Sequence, residues 1–420
     1  MNWLVKNSKY LSLFALLLAI GLVPSFSVGT LSGLDKNIEL RLEDFLLALF
    51  AVFALFRFLV SGKRVISKPL FSGLISIWLS LGFFTLLVNF ILGNLSLIRG
   101  FFFFLKELEF FLIYFFVFYY LKNSDEKIIA KIARLWFFVG LANIAYVLYQ
   151  VVSKNYTGEY GAAALAEWGV YPTGAFFLML FAFLFNFYLY RLYFFKKGLF
   201  IVLLSLLLPI GVFASASKTN FLGLLIALLA SLLLFALKTK KVKMFFFGLA
   251  AIAFVSFLFW VGVKMFKQTE RITFIFDFKN LLDNYYYGRL LPAVIPQWQT
   301  FLQKPLGFFI GLGKGVIIFR QESHNQYLRT VIETGFFGLG IFLLLFWAII
   351  KKGLSVFLTN QDYLKTGLAA GLLTATIALL FMGLAVDFFI VVKSNEVYWF
   401  WLAMAAAVFF NKENRKESYD

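Results

Sequence analysis

Ser323-His324-Asn325-Gln326-Tyr327-Leu328-Arg329-Thr330-Val331-Ile332-Glu333-Thr334-Gly335-Phe336-Phe337-Gly338 closes the longest polar-bearing segment of the chain and leads directly into a fresh apolar run. A polar segment that ends in an apolar run of spanning length reads as a water-exposed loop diving back into a membrane. The stretch holds the only histidine in the sequence, His324. A side chain that titrates near neutral pH at such a boundary is a candidate for proton transfer. A solitary histidine is more often a satisfied structural group, so its neighbours decide the weight it carries.

Working outward, 62% of the residues are hydrophobic, 59 are phenylalanine and only 14% are charged. That composition excludes an ordinary soluble domain and implies an all-α polytopic membrane protein built as one helical bundle. With no cysteine, disulfides, thiolate metal sites and cysteine nucleophiles are excluded. With a single histidine as well, no transition-metal site is expected. The formal charge of +18 is spread in short clusters between apolar runs. This is the pattern of topology-setting loops, not of a nucleic-acid interface.

Apolar runs of spanning length predict twelve helices, at 10–28, 44–60, 70–92, 98–121, 130–152, 172–190, 198–215, 219–237, 244–263, 330–350, 365–384 and 387–410. Residues 1–28 carry Lys6 and Lys9 ahead of an apolar run, but that run is long for a signal core and has no clear small-x-small cleavage site, so it reads as the first span. Placing the N-terminus inside puts most of the 39 Lys and Arg residues in cytoplasmic segments. Both termini are then cytoplasmic and His324 faces outward. The expected organisation is spans one to nine in 1–263, an extracytoplasmic loop in 264–329, and three more spans with a tail in 330–420.

Some residues break the apolar pattern. Lys106, Glu107 and Glu109 lie inside the fourth predicted span, where ionisable groups must face partners or a wet cavity. Neutralising groups elsewhere in the bundle is the expected role of Lys106 and Glu107. Lys218 stands in the tight outer turn Ala216-Ser217-Lys218-Thr219-Asn220, as a snorkelling anchor or as a ligand. The outer segment 29–43 leads into Glu43 and Asp44, acids that suit a first helical turn. The Gly- and Ala-rich segment 153–172 reads as a loop or interfacial helix.

The loop 264–329 is too long for a casual connector. It carries Arg271, Arg289, Lys304, Lys314, Arg320 and Arg329, with a helix expected from about Pro296 along the membrane surface. Arginine forks match phosphate oxygens, so this loop suits an anionic lipid headgroup, ordinary phospholipid included. Gly311-Leu312-Gly313-Lys314-Gly315 suggests an anion-cradling nest, although it lacks the spacing of a P-loop. Glu333 stands four residues after Arg329 and is expected to pair with it.

These motifs resemble the O-antigen ligase family and its O-antigen polymerase relatives. The resemblance lies in His324-Asn325, nine residues, then Gly335-Phe336-Phe337-Gly338, and upstream in Gly288-Arg289, Trp298, Lys304-Pro305-Leu306-Gly307 and Gly311-Leu312-Gly313. Leu40-Arg41-Leu42-Glu43-Asp44 and the long loop between the ninth and tenth spans fit as well. The resemblance implies a GT-C-like fold in the bacterial inner membrane. It also implies a metal-independent, cofactor-free, inverting glycosyltransferase that draws on an undecaprenyl-diphosphate-linked glycan. His324 would be catalytic, and Arg289 would bind the donor diphosphate together with Lys218 and Arg329. Lys218 stands where the family has arginine, keeping the charge without the bidentate fork.

The acceptor stays open: lipid A-core for a ligase, another carrier-linked glycan for a polymerase, a protein hydroxyl for an oligosaccharyltransferase. A lipid-linked-glycan flippase without chemistry is the reading from another class, and a non-catalytic envelope scaffold is a third. Neither needs His324 as a base.

Overall fold

The computed structural model describes residues 2–24, 26–30, 37–61, 69–153, 164, 170–195, 199–215, 217–241, 243, 246, 294–316, 324–388 and 392–416. Within them the chain is almost entirely helical. In order come α1 (Asn2–Leu22), α2 (Leu42–Ser61), α3 (Ser72–Ile91), α4 (Leu97–Leu121), α5 (Glu126–Ser153), α6 (Val170–Phe195), α7 (Leu199–Ala214) and α8 (Lys218–Thr239). Two short helices follow, α9 (Ile295–Leu302) and α10 (Pro305–Ile310), and then α11 (Gln326–Thr359), α12 (Tyr363–Met382) and α13 (Val392–Lys416). The expected span at 244–263, Arg289 and most of 153–172 lie outside the described residues.

Six helices, α3, α5, α6, α8, α11 and α12, are long and apolar enough to cross a membrane. The surface agrees with this. α2 exposes Leu49, Phe53, Phe56 and Leu59, and α11 exposes Phe337, Leu344 and Trp347, while Asn143, Asn186, Ser231 and Thr374 are buried. Apolar outside with polar groups paired inside is what a hydrocarbon solvent demands. The chain is a membrane protein.

At the centre runs α6, apolar on every side and buried almost throughout, as a helix surrounded by other helices must be. α12 packs against it through Gly367 and Gly371. A Cβ at either glycine would lie 3.1 Å from a backbone Cα of α6, at Phe187 and Phe183 respectively, so two small residues four apart let the helices close up. Asn186 Nδ2 donates to Ser231 Oγ at 2.8 Å and to Thr374 Oγ1 at 3.3 Å, tying α6 to α8 and α12.

The sequence expectation for the first span needs correction. Instead of a helix over 10–28, α1 stops at Leu22 and Phe26–Thr30 (β1) pairs antiparallel with Asn37–Leu40 (β2), Phe26 opposite Leu40 and Thr30 opposite Asn37. Pro24 is the reason, because its ring removes a helical hydrogen bond and clashes with the preceding turn. Among the described residues this ribbon is the one departure from the all-α class. The tenth expected span, 330–350, is also longer than read. α11 has 34 residues with a break at Gly335, and the continuous stretch after the break reaches about 36 Å, enough to cross the ~30 Å of a hydrocarbon core. The added first turn, ahead of residue 330, carries Gln326 and Arg329.

Candidate functional site

α11 is broken near its start. Gly335 has φ 71° and ψ −176°, a region essentially closed to residues with a Cβ. The break stops Ile332 and Glu333 from finishing their helical hydrogen bonds. Their carbonyls instead accept from Leu312 N at 2.7 Å and Gly313 N at 3.0 Å. Gly311 has φ 75° and lies backbone against backbone with Glu333 and Thr334, while Gly335 lies against Phe309 and Ile310. The two glycine motifs singled out in the sequence are therefore the two halves of one joint.

Aromatic and aliphatic packing holds the joint shut. Phe301 of α9 is buried with Leu312, Val331 and Ile332. Trp298 stacks on Phe301 with ring centroids 5.4 Å apart, and Phe308 meets Phe336 at 4.5 Å. The helix expected from Pro296 is present as α9, and it docks on α11 through this cluster.

Behind the joint runs a buried chain of charges. Glu107 of α4 accepts from Trp78 Nε1 at 2.8 Å and pairs with Lys314 Nζ at 3.0 Å. Lys314 Nζ lies 4.5 Å from the Trp78 ring centroid and 3.8 Å from Glu333 Oε2. Glu333 Oε1 accepts from Arg329 Nη2 at 2.9 Å and from Gly315 N at 3.2 Å. Arg329 Nη1 stands 3.6 Å from Asp387 Oδ2. The pairing of Arg329 with Glu333 is the one expected from their spacing.

The anion nest expected at 311–315 is corrected by these contacts. Leu312, Gly313 and Gly315 give their N–H groups to α11, and the anion received there is the Glu333 carboxylate. Lys314 is buried as that anion's counter-ion and is not presented to a ligand.

His324 and Asn325 stand at the head of α11. Asn325 caps the helix, its Oδ1 accepting from Leu328 N at 3.0 Å. Its N–H donates to Asp387 Oδ1 at 2.9 Å, and its Nδ2 donates to Leu384 O at 3.2 Å. Gln326 N donates to Gly383 O at 2.8 Å and Tyr327 Oη to Leu380 O at 2.6 Å. The turn after α12 thus grips the start of α11. One residue upstream, partly buried His324 has φ 48°, a left-handed conformation that histidine tolerates better than most side chains.

The four residues proposed from sequence fall out as follows. Arg329 is close in sequence and space to His324, but its guanidinium is buried between two carboxylates. Lys218 is the first residue of α8. Gly223, further along α8, packs on Met382, the neighbour of the Gly383 that binds Gln326, so Lys218 lies at the same end of the bundle as His324. Arg289 lies outside the described residues.

Sequence reasoning missed Asp387, which stands just ahead of α13 and ties Arg329 to the Asn325 backbone. An acid at the start of a predicted span was its available signal. Breaking the charge chain has a large expected effect. Lys314→Met leaves Glu107 and Glu333 without their ammonium and should cost about 3–5 kcal/mol, read as a lowered melting temperature of the purified protein. Adding Glu107→Gln should recover part of that loss, and a strictly additive double variant would show the pair to be uncoupled.

No protein-family model matches the chain, and no curated protein matches it.

Proposed function

We propose that this chain is an O-antigen ligase-like glycosyltransferase with about twelve spans and both termini cytoplasmic, set in a bacterial inner membrane. It moves a glycan from an undecaprenyl-diphosphate carrier to an acceptor hydroxyl, such as that of lipid A-core, at the outer face. The observation that carries this reading is the seating of His324. It is placed by a capped helix head, a gripping turn and a buried charge chain, on the short segment that precedes the Gly335 break of a membrane helix. Such preorganisation suits a general base.

In this mechanism His324 takes the proton of the acceptor hydroxyl as its oxygen attacks the anomeric carbon. The bond from that carbon to the diphosphate breaks, and the diphosphate departs with the bonding electrons. Attack opposite the leaving group inverts the anomeric centre. Arg289 and Lys218 meet the charge that grows on the diphosphate. Arg329, already held by Glu333 and Asp387, acts by positioning the His324-Asn325 turn.

Purified protein should be incubated with an undecaprenyl-diphosphate-linked repeat unit alone, then with lipid A-core added, and the glycolipids resolved by size. Product that requires lipid A-core is the expected result. A ladder from donor alone would make the chain a polymerase. No transfer in either tube, with donor still bound, would exclude lipid A-core and carrier-linked glycan as acceptors and leave a protein acceptor or the flippase reading.

A further inference from the structure

Glu107 and Glu109 are two residues apart on α4 and point about 200° away from each other around the helix. Glu107 belongs to the charge chain behind His324, and Glu109 belongs to a second cluster that the transfer reaction does not use. There Glu43 of α2, Glu109 of α4 and Glu396 of α13 are buried, with one carboxylate oxygen of each within 4.8 Å of the other two. Three helices far apart in sequence thus deliver like charges to one point.

The basic groups around them fall short. Lys393 Nζ pairs with Glu43, stands 3.5 Å from Glu396 Oε2 and donates to Ala19 O at 3.4 Å. Lys106 Nζ lies 3.1 Å from Glu109 Oε2 and 3.6 Å from Asp44 Oδ2. Buried Arg41 is near enough for its charge to act on Lys393. Among the described residues, four carboxylates, Glu43, Asp44, Glu109 and Glu396, face three bases, Arg41, Lys106 and Lys393, so there the cluster lacks one unit of positive charge.

A second observation points the same way. Glu396 is 0% exposed, and among the described residues neither of its carboxylate oxygens accepts a hydrogen bond; nor does Glu43 Oε2 or Glu109 Oε1. Ionised oxygens hidden from water and without a hydrogen bond are held at high energy unless further positive charge reaches them, and Lys393 is already shared between Glu43 and Glu396. A divalent ion would overshoot the deficit, and the water-retaining octahedral shell of magnesium does not fit beside the Lys393 ammonium.

We propose that Glu43, Glu109 and Glu396 form a buried site for one small monovalent cation, a sodium ion or a proton, which clamps α2, α4 and α13 together. The site is independent of His324 and of the transfer reaction.

The test is thermal melting of the full-length protein in detergent. Sodium chloride is exchanged for choline chloride at constant ionic strength, and the series is repeated from mildly acidic to alkaline pH. If sodium fills the site, the melting temperature at alkaline pH rises with the logarithm of sodium concentration and choline has no effect. If a proton fills it, the two salts agree and stability falls as pH rises, because the folded state holds a proton that the unfolded chain gives up.

In either case Glu396→Gln removes the surplus charge with almost no change of shape. It should melt no lower than the wild type at alkaline pH without sodium, and it should lose the wild type's dependence on sodium or pH. Glu109→Gln should behave in the same way. A wild type indifferent to both sodium and pH would overturn the site. So would a Glu396→Gln protein that melts lower under every condition, as loss of an ordinary ion pair produces.

Discussion

Glycan transfer is expected to fall by about 10²- to 10⁴-fold in His324→Asn, the range that a general base contributes, while the protein still folds and binds donor lipid. Asparagine is the informative replacement because of the backbone. His324 has φ 48°, and asparagine is among the few residues that enter the left-handed region readily. The turn into the Asn325 cap therefore survives, and only the proton acceptor is removed. Single-turnover transfer by the wild type and the variant, with melting temperature and donor binding as controls, checks this. Transfer at the wild-type rate in a folded His324→Asn protein would remove the histidine from the mechanism.

The second large effect is expected at Gly335, with no direct role in chemistry. Gly335→Ala forces a Cβ into a backbone conformation that costs about 1–3 kcal/mol, and the added methyl meets the Phe309 carbonyl and the Ile310 nitrogen. Overpacking of that kind adds a further ~1–3 kcal/mol. The joint between 309–313 and α11 should open, lowering the melting temperature and abolishing transfer together. Gly340 is the internal control. It lies on the same helix, and among the described residues a Cβ there meets nothing within 4 Å. Gly340→Ala should be neutral or slightly stabilising, since alanine is the better helix former. Equal melting temperatures for the two variants would mean that the kink does not hold the site.

Several of these features were legible before any coordinates. The glycines of 311–315 and 335–338 were marked by their pattern, and the Arg329–Glu333 pair by its spacing of four. Their relation to each other was not legible, because the bonds from Leu312 and Gly313 to α11 depend on where a helix breaks in space. The reading of 311–315 as an anion-cradling nest for a ligand was corrected for that reason. A run of glycine N–H groups looks the same in sequence whether it receives a ligand or a carboxylate of the protein itself. Glu107 and Glu109 were flagged as costly at their depth. That they serve two different clusters follows from helical geometry once their partners are in place.

The exclusion of thiolate and histidine metal sites came directly from composition. It could not foresee three glutamates meeting from α2, α4 and α13, since acids 43, 109 and 396 share no motif and no local spacing. Pro24, by contrast, was present in the sequence as a helix stop and was outweighed by the apolar run around it.

By itself the sequence determined that the chain is a helical membrane protein and where most of the described helices run. Apolar length and backbone propensity are local properties, so they can be read locally. Only the tertiary structure decided which charges neutralise one another, that Arg329 is spent on Glu333 and Asp387, and that the two glycine motifs form one joint. In a low-dielectric interior a buried charge is defined by its partner, and partners distant in sequence become visible only when the helices are packed.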